Sequence, residues 1–343
     1  MADESDALSD ILGRVRSKRR TWLVTGAAGF IGSHLVETLL EAGQSVRGVD
    51  NLLTGSMANI EAVRSAGTGT LEFIEADIRD LDTCLSACDG VDVVLHQAAL
   101  GSVPRSVRDP LATHDHNANG TLNVFVAARD AGVERVVYAS SSSVYGDDPR
   151  LPKVEGEEGT PLSPYAVSKK VGELYANTFF DHHGLETIGL RYFNVFGPRQ
   201  DPDGPYAAVI PRWVATMLNG EACVIHGDGE TSRDFCYVAN VVQANLRAAL
   251  ARPEAAGQVF NVAVGSTTSL NDLHTRIAQG LVEAGALADV PAPVYTDFRP
   301  GDIRHSLADV DRASALLGYA PTHTVEEGLA GALEWYAADA LSA

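Results

Sequence analysis

A tyrosine and a lysine four residues apart, in Tyr165-Ala166-Val167-Ser168-Lys169, form a pair able to move a proton. On a helix that spacing puts both side chains on one face, one turn apart. An ammonium near a phenol favours the phenolate and lowers a pKa that is otherwise about 10. The pair would then act as a general base near neutral pH. The same spacing also occurs on solvated helix faces, so the elements around it decide its meaning.

Residues 21–24 form a short apolar run leading into Gly26-Ala27-Ala28-Gly29-Phe30-Ile31-Gly32. An amphipathic helical pattern follows over 34–42, and Gly43 stops it. Strand, GxxGxxG and helix in this order place a pyrophosphate over a helix N-terminus, where backbone must come close and the helix dipole favours an anion. Gly26, Gly29 and Gly32 are therefore candidate cofactor residues. A second strand, 45–49, ends on Asp50, 18 residues after Gly32. A carboxylate there accepts from a ribose 2′-hydroxyl and repels a 2′-phosphate, which favours NAD over NADP.

Further strands over 71–75, 91–95, 135–139, 187–191 and 260–264 alternate with helical patterns. The expected fold is α/β, a doubly wound parallel sheet of Rossmann type. After about residue 194 the texture turns loop-rich, which implies a smaller C-terminal substrate-binding module. The expected division is an N-terminal helical extension (1–20), an NAD-binding part (21–194 plus about 236–264) and a substrate-binding part (about 195–235 plus 265–335).

The chain has 343 residues, 45% of them apolar, enough for one large α/β domain or two smaller ones sharing a cleft. Against 45 acidic residues stand 26 basic ones, for a net charge of −19. Such a surface is repelled by nucleic acid and by anionic membranes, so neither is an expected partner. An anionic small molecule would need a few arginines focused in a cleft. With no apolar run of about 18 residues and an acidic first decapeptide, a cytoplasmic protein is expected. Cys84, Cys88, Cys223 and Cys236 are too few and scattered for a disulfide framework and read as free thiols. The basic stretch over 14–20 reads as a solvated amphipathic helix. His114-Asp115-His116 lacks further ligands and reads as cap and surface, His182-His183 as solvated. No metal is expected.

Several motifs carry a family resemblance: TGAAGFIG at 25–32, DNLLTG at 50–55, the serine run before VYG at 144–146, YAVSK at 165–169 and RYFNVFGP at 191–198. In order and spacing, over roughly 21–335, they resemble an extended short-chain dehydrogenase/reductase. The resemblance implies that Phe30, Ile31, Asn51, Asp77, Ile78, Gln97, Ala98, Ala99, Asn117 and Phe193 contact the dinucleotide together with Tyr165 and Lys169. Asp77 and Ile78 would flank the adenine. Ser141 matches the family's catalytic serine, with Ser142 and Ser143 lining the sugar side.

Family members that dehydrate nucleotide sugars carry an Asp-Glu pair before Val144, and decarboxylating ones a Glu, because removing water or a C5 proton needs an extra carboxylate. Ser142 and Ser143 stand there instead, which leaves hydride and hydroxyl-proton transfer and so implies an epimerase. By the same resemblance Asn194, Arg233 and Arg299 hold a diphosphate and uridine, and Asp302 a ribose or a neighbouring loop. Ala208, Val209, Val224 and His226 would wall a uracil pocket. Ser306 stands where members restricted to UDP-glucose and UDP-galactose carry a bulky tyrosine, leaving room for an N-acetyl group. The loop 100–106, with Gly101 and Ser102 as candidate substrate contacts, and the stretch 304–309 resemble bacterial UDP-N-acetylglucosamine 4-epimerases of surface-polysaccharide pathways. The expectation is an NAD-dependent isomerase acting on a UDP-N-acetylhexosamine, homodimeric through a bundle that includes the Tyr165 helix. Its rivals are an epimerase of UDP-glucose or of an N-acetylhexosaminuronate, and a non-catalytic NAD-sensing protein.

Overall fold

The structure, a computed structural model, describes residues 4–202, 207–298 and 303–342. Seven parallel strands form the central sheet: β1 (Thr21–Thr25), β2 (Ser45–Asp50), β3 (Thr70–Glu75), β4 (Val93–His96), β5 (Arg135–Ser141), β6 (Glu186–Tyr192) and β7 (Gln258–Val262). Their order is β7-β6-β5-β4-β1-β2-β3. The inner strands are apolar without interruption because both faces are covered, as Val93, Val94 and Leu95 in β4 show. Alternation still sorts the side chains. Trp22 and Val24 of β1 face one core with Leu35 and Leu39, whereas Leu23 faces the other with Val94, Phe125 and Val136. The chain reverses direction of growth between β1 and β4, so a ligand crevice opens at the carboxyl ends of those strands.

The expected strands are all present, with shifted ends. The expected strand over 260–264 is β7, which stops at Val262 because the Val264 and Gly265 N–H groups bond to the Asp234 carboxylate instead of a neighbouring strand. The helix expected over 34–42 begins at Phe30, directly after Gly29. The N-terminal helix, Glu4–Ser17, is amphipathic as expected, but one stripe is docked rather than solvated. Ile11 and Val15 are fully buried in the first core, and Arg14 donates to the Leu250 carbonyl at 2.5 Å.

A third core gathers Phe196, Ile210, Trp213, Phe235, Leu273 and Leu333 beyond the carboxyl edge of the sheet. Ala313, Leu317 and Tyr319 instead belong to the first core. No helix among the described residues is long and apolar enough to cross a membrane.

Candidate active site

A cleft of about 620 Å³ runs along the carboxyl ends of β1, β2, β4 and β5. At one end lies the glycine turn. Gly26 has φ +69°, and a Cβ there would stand 2.8 Å from the Ala98 nitrogen. A Cβ on Gly32 would meet the Gly26 carbonyl oxygen at 1.9 Å, so the helix Phe30–Glu41 can start only with hydrogen at that position. Gly29 caps the helix without a side chain, leaving its first N–H groups open to the cleft. Asp50, 8% exposed, accepts from the Ala28 N–H at 3.0 Å and the Leu52 N–H at 2.8 Å. Burial pushes its carboxyl above the usual range. Two oxygens with about four acceptor sites keep capacity for ribose hydroxyls. These features fit a dinucleotide.

The cleft brings together most of the expected cofactor residues: Gly26, Gly29, Phe30, Ile31, Gly32, Asp50, Asn51, Ile78, Gln97, Ala98 and Ala99, along with Gly101 and Ser102. Ser102 is held at φ +94°, a costly conformation for a residue with a side chain, and caps the helix Val103–Arg108. Three residues act from behind the wall. The Asn117 amide clamps Leu100, accepting its N–H at 2.7 Å and donating to its carbonyl at 3.0 Å. Asp77 is tied to Arg79 and to Asn51, each at 2.8 Å, and these bonds hold its carboxyl far below the usual range. The Phe193 side chain is fully buried against Tyr145.

At the other end sits the Tyr165/Lys169 pair on the helix Pro164–His183. Ser163 caps that helix by accepting the Ala166 N–H at 3.1 Å, Pro164 fills its first position, and left-handed Gly184 ends it. The Ser141 hydroxyl at the end of β5 stands by the Tyr165 phenol and favours its ionised form. Lys169 donates to the Ala139 carbonyl at 2.9 Å and lies 6.0 Å from the Tyr165 ring centroid. The electrostatics differ from the expectation. Burial raises the Tyr165 phenol, and only the Ser141 hydroxyl opposes it. Burial also lowers Lys169 to about 8. Desolvation thus dominates both groups, and among the described residues no acidic side chain pairs with the Lys169 ammonium.

Ser142 and Ser143 form a one-turn helix after β5, and the Ser143 hydroxyl is buried with no partner. Ser140 donates to Glu173 at 2.7 Å, and Glu173 takes a two-pronged bond from Arg191, both contacts 2.8 Å. Among the described residues no carboxylate bonds to Tyr165, Lys169 or Ser141.

A second cavity of about 480 Å³ adjoins the cleft, sharing Ala208 as a wall. It gathers Asn194, Ala208, Val209, Val224, His226 and Arg233 as expected. It adds Trp213, Phe235, Phe298 and Arg304, which sequence reasoning missed. The Arg304 guanidinium stacks 5.3 Å over the Phe298 ring and pairs with Asp228. Ser306 lies outside both walls, its N–H bonded to the Ser232 carbonyl at 3.1 Å. Arg299 and Asp302 lie outside the described residues.

His116 corrects another expectation. It is 9% exposed, lines the dinucleotide cleft, and its Nδ1 bonds to the Ala112 carbonyl at 2.8 Å, leaving Nε2 buried and unpartnered. A one-turn widening of the helix at Asp115–Asn119 turns it inward. His182 and His183 are exposed as expected. Among the described residues no cluster of His, Cys, Asp and Glu is arranged to hold a metal.

An open parallel sheet with a glycine turn, a buried carboxylate at the end of β2 and a Ser-Tyr-Lys set at its carboxyl edge is the setting of a dinucleotide site. Residues 22–263 match the NAD dependent epimerase/dehydratase family, and the chain belongs to it. Its cofactor is NAD. The UDP-glucose 4-epimerase of Mycolicibacterium smegmatis is 42% identical over 316 residues, covering 92% of this chain and 97% of that protein. The solved UDP-N-acetylglucosamine 4-epimerase of Methanobrevibacter ruminantium, in complex with UDP-N-acetylmuramic acid, is 40% identical, with a TM-score of 0.86 over 94% of this chain and 99% of that one. The UDP-glucose 4-epimerase of Thermus thermophilus, in complex with NAD, is 33% identical, with a TM-score of 0.80 over 92% and 98%.

Proposed function

We propose that the protein is an NAD-dependent 4-epimerase of UDP-hexoses, with UDP-N-acetylglucosamine and UDP-N-acetylgalactosamine as its preferred pair. The observation that carries the reaction class is that, among the described residues, no carboxylate bonds to Tyr165, Lys169 or Ser141. Glu173, four residues beyond Lys169, is consumed by Arg191 and Ser140. A site so equipped exchanges a hydride and a hydroxyl proton and has no acid or base for dehydration. Tyr165 takes the proton of the sugar 4-hydroxyl, and Ser141 holds the same oxygen. Bound NAD supplies the acceptor for the C4 hydride and returns it to the opposite face. Lys169, charged at neutral pH, favours the phenolate against the burial that opposes it and reaches the nicotinamide ribose. Arg233 receives the diphosphate, and the aromatic walls of the second cavity receive the base, where flat rings offer stacking faces. The keto sugar turns about its phosphate link before the hydride returns.

The N-acetylated pair is supported by the likeness to the solved UDP-N-acetylglucosamine 4-epimerase of Methanobrevibacter ruminantium. A second reading, the UDP-glucose and UDP-galactose pair, is favoured by the names of the Mycolicibacterium smegmatis and Thermus thermophilus relatives. Proton NMR of UDP-N-acetylglucosamine incubated with the protein should show UDP-N-acetylgalactosamine; its absence, with turnover of UDP-glucose, would move the assignment to the second pair.

A homodimer is supported by an apolar surface beside the Tyr165 helix. Val107, Leu111, Val167 and Leu174 are 65%, 82%, 47% and 56% exposed. Light scattering at micromolar concentration should give twice the chain mass, and a monomer there refutes the dimer. The four free, buried cysteines suit the cytoplasm, the compartment this reading assigns.

A further inference from the structure

Next to Arg233 lies a carboxylate that neither catalysis nor ligand contact explains. Asp234 has no exposed surface. One oxygen, Oδ1, accepts the Val264 N–H at 2.9 Å; the other accepts those of Gly265 at 3.0 Å and Ala308 at 3.2 Å. Burial pushes its carboxyl up to about 6, and only these three N–H bonds pull it back. The titratable groups facing it are the Cys236 thiol and the Tyr319 phenol, both pushed up and neutral. Nearby cations turn elsewhere. Arg233 donates to the Ser232 and Arg304 carbonyls. Lys153, whose backbone pairs with Leu307 and Asp309, sends its ammonium to Asp148.

The three donors come from two separate parts of the chain. Val264 and Gly265 lead away from β7, and Ala308 lies two residues beyond Ser306. Asp234 itself sits between Arg233 and Phe235, both on the wall of the second cavity, and its carbonyl accepts from the Asn194 amide at 3.3 Å. A single side chain thus joins the strand that carries the arginine, the exit of the sheet and the segment that carries Ser306. An uncompensated buried carboxylate is costly, and it persists here only through three converging donors. An asparagine of the same shape offers one oxygen and turns N–H donors toward N–H donors.

We propose that Asp234 is a positioning residue for the nucleotide end of the substrate: by holding residues 264–265 and 308 against the Arg233–Phe235 segment, it sets the cavity that receives a nucleoside diphosphate. The inference rests on the UDP-sugar reading above. Its test compares wild type with Asp234→Asn by titration calorimetry with UDP, alongside NAD content and steady-state kinetics. We expect the Kd for UDP to rise on the order of tenfold or more, the loss due when buried N–H donors lose their acceptor. NAD content should stay at the wild-type level, and KM should rise by a larger factor than kcat falls. A variant that retains NAD and binds UDP as wild type does overturns the inference. Wild type that binds no UDP overturns the UDP-sugar reading and the inference with it. Should the variant not fold, amide exchange in wild type decides: UDP should slow exchange at Val264, Gly265 and Ala308, and unchanged rates there overturn the inference.

Discussion

The two cavities meet at Ala208 and are built in opposite ways. The dinucleotide cleft is made of strand ends and the turns that follow them, so its backbone does most of the shaping. Gly26 and Gly32 leave no room for a Cβ, and Asn117 pins the backbone of Leu100. The second cavity is lined by side chains from segments as distant as Asn194 and Arg304, held by a core of Trp213, Phe235 and Leu273. One site is fixed by local chain geometry, the other by tertiary assembly. Changes in the first should therefore strike cofactor and chemistry, and changes in the second should strike substrate affinity alone.

The largest expected effect tests the cleft. Tyr165→Phe keeps the ring but loses the proton acceptor beside Ser141. Loss of a general base predicts a fall in kcat of about 10²–10⁴. NAD content and UDP affinity should hold, as checked by extraction of bound nucleotide and by calorimetry. Near wild-type turnover would remove Tyr165 from the mechanism. Arg233→Ala should do the reverse. Removing a charged donor from a phosphate costs about 1.5–3 kcal/mol, so KM should rise roughly 10- to 100-fold with kcat and NAD content little changed. A fall in NAD content in Arg233→Ala would show that the two cavities are not separable.

The same contrast explains what the sequence disclosed. The strands of the sheet, the glycine turn, Asp50 and the Tyr165 helix rest on local periodicity and short-range spacing, and they are where the chain placed them. Ends moved by a few residues where a tertiary bond intervened, as Asp234 does at the end of β7. The walls supplied by Trp213 and Phe298 gave no local signal, because their meaning comes from which segments meet. His116 shows the limit from the other side. Its neighbours read as a cap, yet an extra residue in one helical turn rotates it onto the cleft. The Glu173–Arg191 pair was equally silent, although β6 and the Tyr165 helix each carry one half of it.

Glu173 and Lys169 share a helix and differ in how their buried charge is treated, which yields the smallest expected effect. Glu173 is held below the usual carboxylate range by Arg191 despite its burial. Among the described residues Lys169 has no such partner, and it falls from 10.5 to about 8. Folding therefore disfavours its charged form relative to the unfolded chain. Below about pH 8 the lysine is charged in both folded and unfolded chains, and the folded state bears the full penalty. Between about 8 and 10.5 the unfolded chain binds the extra proton, so stability rises with pH over that window. Lys169→Met removes this rise. At pH 7 the cofactor-free variant should be more stable than wild type by roughly 1–2 kcal/mol, with the lead shrinking toward pH 10, as followed by urea unfolding. With NAD bound the order of activity inverts. Without the ammonium the Tyr165 phenol keeps the upward push of its burial, so the rising limb of kcat against pH should move to higher pH in Lys169→Met. A variant with an unshifted limb would show that Lys169 orients the cofactor without tuning the base.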